Sequence, residues 1–173
     1  MNACRLSYLT LAVLLTSCAS QERHSDGPFM SCKHGGHMRQ ICIAVPLASE
    51  EEDRQAKSFP TPPEGKARVY LVRRYTTDPR QKSFIAVDGN PVGQLAPATY
   101  TMFDVTPGLY TISAQTHDAS ELRLTLKPGE VRYVTYTLTQ FLGKVSGSLA
   151  MVDAQKGQDL VRQSKMIIST ATP

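Results

Sequence analysis

Cys32-Lys33-His34-Gly35-Gly36-His37, followed by Cys42, gathers two thiols and two imidazoles into one short stretch. Two thiolates and two imidazoles are a ligand set for tetrahedral zinc, and His24 is near enough in sequence to join them. The spacing fits a closed site poorly, because Cys32, His34 and His37 crowd together while Cys42 follows after a gap of four residues. Gly35-Gly36 is flexible, and Lys33 and Arg39 add positive charge where a metal site needs shelter. The other chemistry is oxidation. In an oxidising compartment Cys32 and Cys42 would close a small loop, worth about 2–3 kcal/mol in the chain-entropy model. A disulfide, a metal site built on Cys32, His34, His37 and Cys42, and unpaired thiols all stay open at this point.

Nucleophilic catalysis needs a Ser or Cys within reach of a His oriented by an acid. His117-Asp118-Ala119-Ser120-Glu121 contains those types, but the run reads as a polar loop between two strands. Asp88 and Asp104 could serve as paired carboxylates. The hairpin turn explains Asp88, and exposure at a strand end explains Asp104. Gly143-Lys144-Val145-Ser146-Gly147 lacks the spaced glycines and Gly-Lys-Ser/Thr ending of a phosphate loop. Tyr70, Tyr100, Tyr110, Tyr133 and Tyr136 read as core and sheet residues, and with no Trp a sugar-stacking platform lacks its best side chain. The expectation is no catalytic residue, no cofactor and no enzyme.

The most specific chemistry lies at the amino terminus. Arg5 is followed by a short apolar run from Leu6 to Leu15, then by Leu15-Thr16-Ser17-Cys18. About ten apolar residues suit a secretory signal and are too few to span a bilayer. The ending resembles the bacterial lipobox, in which the cysteine thiol receives a diacylglyceryl group and cleavage precedes that cysteine. By that resemblance residues 1–17 are a signal peptide and Cys18 is the lipidated first residue of the mature chain. Three acyl chains, at about 0.8 kcal/mol per buried CH₂, would hold a domain on a membrane. Ala19, in place of the Asp that retains such proteins, implies the outer membrane, facing the periplasm.

These groups must be positioned by the rest of the 173 residues, of which 41% are hydrophobic. The formal charge of +4 comes without any run of Lys or Arg, which argues against a nucleic-acid surface. Residues 18–65 read as an extended tether: Glu50-Glu51-Glu52-Asp53 is acidic and Pro60-Thr61-Pro62-Pro63 is proline-rich. Ile41 to Val45, an apolar run inside it, reads as a strand or a docking segment. From 66 to 153 short β-type runs alternate with turns: Arg68–Arg73, Phe84–Val87, Val92–Leu95, Tyr100–Val105, Leu109–Thr116, Leu122–Leu126, Val131–Leu138 and Val145–Val152. Asp88-Gly89 marks a hairpin. Pro107-Gly108 marks a turn in which Gly108 is expected to need positive φ. Asp153 is placed to cap a short helix, with the carboxyl-terminal tail in 154–173. Seven or eight short strands at this spacing predict an all-β fold, an antiparallel β-sandwich.

Several of these runs carry a family resemblance. Val69-Tyr70-Leu71-Val72-Arg73, Val87-Asp88-Gly89-Asn90-Pro91-Val92-Gly93-Gln94-Leu95 and Pro107-Gly108-Leu109-Tyr110-Thr111-Ile112 are similar to bacterial lipoproteins classed as a domain of unknown function. The resemblance covers about Glu51 to Asp153, and the last two pieces also resemble PEGA-type surface domains. It implies a prealbumin-like sandwich and an envelope location, with no assigned activity. The expected function is therefore a lipid-anchored module that binds or scaffolds an envelope protein or a cell-wall component. The alternative is a periplasmic metal-binding lipoprotein using the Cys32-His34-His37-Cys42 loop.

Overall fold

The computed structural model describes residues 29–34, 40–74 and 81–169. Residues 1–17, Cys18, His24 and His37 lie outside them. The elements in chain order are β1 (Phe29–His34), β2 (Gln40–Val45), α1 (Glu50–Ala56), β3 (Ala67–Arg73), β4 (Ser83–Val87), β5 (Asn90–Leu95), β6 (Thr99–Val105), β7 (Gly108–Gln115), β8 (Ala119–Leu126), β9 (Val131–Phe141), β10 (Lys144–Val152), α2 (Ala154–Arg162) and β11 (Lys165–Met166). Strands β3 to β10 fall on the eight runs that alternation marks in the sequence.

Two sheets pack face to face, one ordered β10-β9-β3-β6-β11 and the other β5-β4-β7-β8. In β7, Ile112 and Ala114 are buried while Leu109 and Gln115 are exposed, the period of a strand with one face in the core. Val69, Leu71, Ile85, Ile112, Leu124, Val134 and Leu138 fill the space between the sheets. β3 is different: all seven of its residues are buried. Its second face, with Tyr70 and Val72, meets Tyr100, Tyr133, Ala56 of α1 and Val161 of α2. The result is a sandwich with helices covering the outer face of the five-stranded sheet.

The expected all-β sandwich is borne out, and two narrower expectations are corrected. The stretch 40–65 is not an extended spacer. Ile43 and Val45 of β2 belong to the core between the sheets, and Glu50 to Asp53 form the first turn of α1. Ser49 caps that helix: its Oγ accepts from Glu52 N at 3.2 Å, and Glu52 Oε2 accepts from Ser49 N at 2.8 Å. Four carboxylates in a first turn are favourable there because the helix dipole is positive at that end. Within the sandwich most strand pairs are antiparallel, and the larger sheet adds two parallel ones, β3 with β9 and β6 with β11. The chain crosses from β8 in one sheet to β9 in the other through Pro128-Gly129, where Gly129 has φ 73° and its N–H donates to Lys66 O at 2.8 Å. That crossover lays β9 beside β3 in the same direction. Second, Gly108 is absent from the positive-φ residues, and a Cβ there would meet Tyr110 at an ordinary 3.6 Å. The hairpin at Asp88-Gly89 does hold, with φ 48° and 80° as a two-residue hairpin turn requires.

Candidate functional site

Each carboxylate that could do chemistry has a structural partner. Asp104 on β6 faces Arg68 on β3, its register partner. Arg68 Nε donates to Asp104 Oδ1 and Nη2 to Oδ2, both at 2.7 Å, while Nη1 donates to Pro60 O at 2.9 Å. Arg68 is mostly buried and Asp104 partly exposed, and the hydrogen bonds to Asp104 raise the guanidinium's pKa against the opposing pull of burial. Asp104 is thus a paired residue, not the exposed strand end expected. Asp88 sits in the other sheet's hairpin, where its Oδ1 accepts from Thr111 N at 2.7 Å. The two do not form a pair of cooperating acids.

The loop 116–118 and the start of β8 hold the fragments of a triad. Asp118 Oδ1 accepts from Gly147 N at 3.0 Å, and Ser120 Oγ accepts from Leu149 N at 3.1 Å. Both side chains cap backbone donors along the outer edge of β10, a device that shields an edge strand from further pairing. His117 is exposed beside them. Behind this seam Ser83 Oγ, Thr116 Oγ1 and Tyr136 Oη form a chain at 2.7 and 3.2 Å. A Cβ on Gly147 would lie 2.1 Å from the Tyr136 hydroxyl, so the close approach of β10 requires glycine.

The most polar buried cluster lies under α1, and nothing local in the sequence marks it. Asp53 Oδ1 accepts from Tyr100 Oη at 2.8 Å and from Met166 N at 3.1 Å. Lys57 Nζ donates to Asp53 Oδ2 at 2.8 Å and to Ser164 O at 2.7 Å. One carboxylate therefore ties α1 to β6 and β11. Burial drives the Tyr100 pKa well above its ordinary value, and the Asp53 hydrogen bond adds to the rise. Tyr70, stacked on Tyr133 with ring centroids 5.2 Å apart, is pushed up to about 12 by burial. The Ser49-x-x-Glu52 box was the available signal for α1; the partners of Asp53 come from distant strands.

An open groove of about 320 Å³ runs over the four-stranded sheet, lined by Pro46, Phe84, Gln94, Ser113, Gln115 and Ile168 among others. Among the described residues no titratable side chain lines it, and none of His117, Asp88 or Asp104 reaches it. Among the described residues no group of three or more His, Cys, Asp and Glu could hold a metal, and no helix is long and apolar enough to cross a membrane. The antiparallel hairpin of β1 and β2 sets the Cα of Cys32 opposite that of Cys42, and His34 opposite Gln40.

An uncharacterized protein of Haemophilus influenzae (strain Rd) is 27% identical over 130 residues, covering 74% of this chain and 77% of the relative. A solved structure of the N-terminal domain of AlgF from P. aeruginosa is similar at 24% identity with a TM-score of 0.32, over 53% of this chain and 98% of that one. Residues 63–148, from just before β3 into β10, match the family described as Protein of unknown function (DUF2846).

Proposed function

We propose that this is a lipid-anchored protein of the bacterial cell envelope, acylated at Cys18, that binds or scaffolds another envelope component and catalyses no reaction. Leu15-Thr16-Ser17-Cys18 behind a short apolar run is the observation that carries the reading. Ala19 favours the outer membrane, facing the periplasm. The geometry supports the non-enzymatic half: Asp88, Asp104, Asp118 and Ser120 each hold a backbone or an arginine in place. The pieces that resemble PEGA-type surface domains form the β4–β5 hairpin and β7, which suits a module presented to an envelope protein or a cell-wall component.

Opposite residues of an antiparallel pair have Cα atoms about 4.5–5.5 Å apart, inside the range a disulfide spans. The Cys32–Cys42 register therefore supports a disulfide over the metal loop. In a strain deleted for the gene, full chains carrying His117→Ala or Asp88→Gly should restore the wild-type phenotype at wild-type protein levels. Failure of either variant at normal abundance would overturn the non-enzymatic reading.

A further inference from the structure

The β9–β10 hairpin reaches past the sheet that carries it. Among the described residues β9 pairs with β3 as far as Arg73↔Tyr136, whereas its pairing with β10 continues to Phe141↔Lys144. The brace nearest the tip among the described residues is the bond from Gly147 N to Asp118, at the level of Leu138. Three residues farther, at about 3.3 Å each, the tip stands roughly 10 Å beyond that brace. Residues 139–144 are all exposed, with Phe141 at 78% and Leu142 at 91%. Two large apolar side chains side by side in water, at the end of an arm, contribute nothing to either core.

Folding does not call for these residues. The turn has φ 47° at Leu142 and 81° at Gly143. Asn or Asp suits the first of these positions, and a bulky residue there is crowded. An apolar group thus occupies the outermost place of the arm against local preference.

Charge selects what it meets. Residues 137–148 contain no Asp or Glu, and Lys144 adjoins the tip. Arg74, exposed, donates its N–H to Tyr136 O at the base of the arm. Lys82 precedes Ser83, which joins the same level through Thr116 and Tyr136. Asp118, the carboxylate beside them, is engaged by Gly147 N. Two side chains are far too little surface for a stable protein interface, which takes about 800 Å² per partner. An aromatic and an aliphatic residue at a narrow tip, with cations behind them, match the headgroup zone of an anionic membrane.

We propose that the β9–β10 tip inserts Phe141 and Leu142 into the interface of an anionic lipid bilayer, with Lys144, Arg74 and Lys82 meeting the headgroups. This contact is separate from acylation at Cys18 and would orient the sandwich on the surface. The chain contains no Trp, so Phe141→Trp in the full-length protein gives a single indole reporter. With vesicles of phosphatidylcholine and phosphatidylglycerol, its emission should shift to the blue and be quenched by brominated lipid. The equilibrium between inserted and free tip, read from the blue-shifted fraction, should be roughly a hundredfold less favourable with phosphatidylcholine alone, and Lys144→Gln should make it roughly fivefold less favourable on the anionic vesicles. A chain held on vesicles only by its acyl group or leader leaves the indole in water, and an unshifted spectrum overturns the proposal. An equal blue-shifted fraction on both vesicle types overturns it too, as does a blue shift that needs protein concentration and no lipid, the mark of a second copy. Thermal unfolding of the variants, altered at exposed positions, verifies that each is folded.

Discussion

Arg68 and Asp104 meet as a partly buried fork across β3 and β6, and that pairing accounts for the carboxylate without catalysis. Asp104→Asn keeps the shape and deletes the charge, leaving the guanidinium without its counterion. It should lower stability by about 2 kcal/mol, read as an earlier midpoint in urea, the partial exposure of Asp104 keeping the cost below that of a fully buried pair. Tyr70, Tyr100 and Tyr136 have pKa values raised by burial. A group raised in the folded state contributes stability in full below its unfolded pKa, here 10.0, and loses that contribution as pH climbs toward the folded value. The protein should therefore hold its stability up to about pH 10 and lose it above, with these phenols ionising only as the chain unfolds. Ultraviolet difference absorbance followed alongside circular dichroism checks the coincidence. Little of this was legible in the sequence. Residue type marked Asp88, Asp104, His117 and Ser120 as candidates, but their partners lie on other strands, and Asp53 looked like one more charge in a solvated run.

Elements were far more legible, because one buried face imposes a two-residue period. Ile112 and Ala114 in β7, and Leu124 and Leu126 in β8, record that face directly. Helix α1 was missed for the opposite reason: seven residues carry too few apolar side chains to show a helical period, and only the Ser49–Glu52 box announces it. Glycine positions separate two kinds of constraint. At Gly157 in α2 a Cβ would lie 2.2 Å from Tyr133 Cγ, so the helix rests directly on the ring. Ala ordinarily favours a helix by about 1 kcal/mol over Gly, but the overlap here should reverse the sign. Gly157→Ala is expected to cost about 2 kcal/mol in thermal or urea unfolding. Gly108→Ala, with ordinary φ and a 3.6 Å contact, should be nearly neutral. At the exposed turn Leu142→Asn should stabilise the hairpin by about 0.5–1 kcal/mol, since Asn accepts the left-handed conformation more readily.

At the scale of the molecule, the cooperative unit is larger than the alternating strands. Val45, Ala56, Val161 and Ile167 are buried, and all lie outside residues 66–153. Ile167 packs against Gly93 at one edge of the sandwich, while Asp118 and Ser120 fasten the other edge to β10. A fragment limited to 66–153 should consequently unfold well below the full chain and bind a hydrophobic dye, whereas residues 40–169 should retain a single sharp transition. The boundary was hidden because acidic and proline-rich composition resembles a linker even when the segment crosses a core. What joins the whole molecule to its proposed work is the amino terminus. Mass spectrometry of the amino-terminal peptide, from protein extracted out of bacterial membranes, addresses that directly. The expected peptide begins at Cys18 and carries a diacylglyceryl thioether and an amide-linked acyl chain. An unmodified peptide, or a mature chain beginning at any other residue, would contradict it.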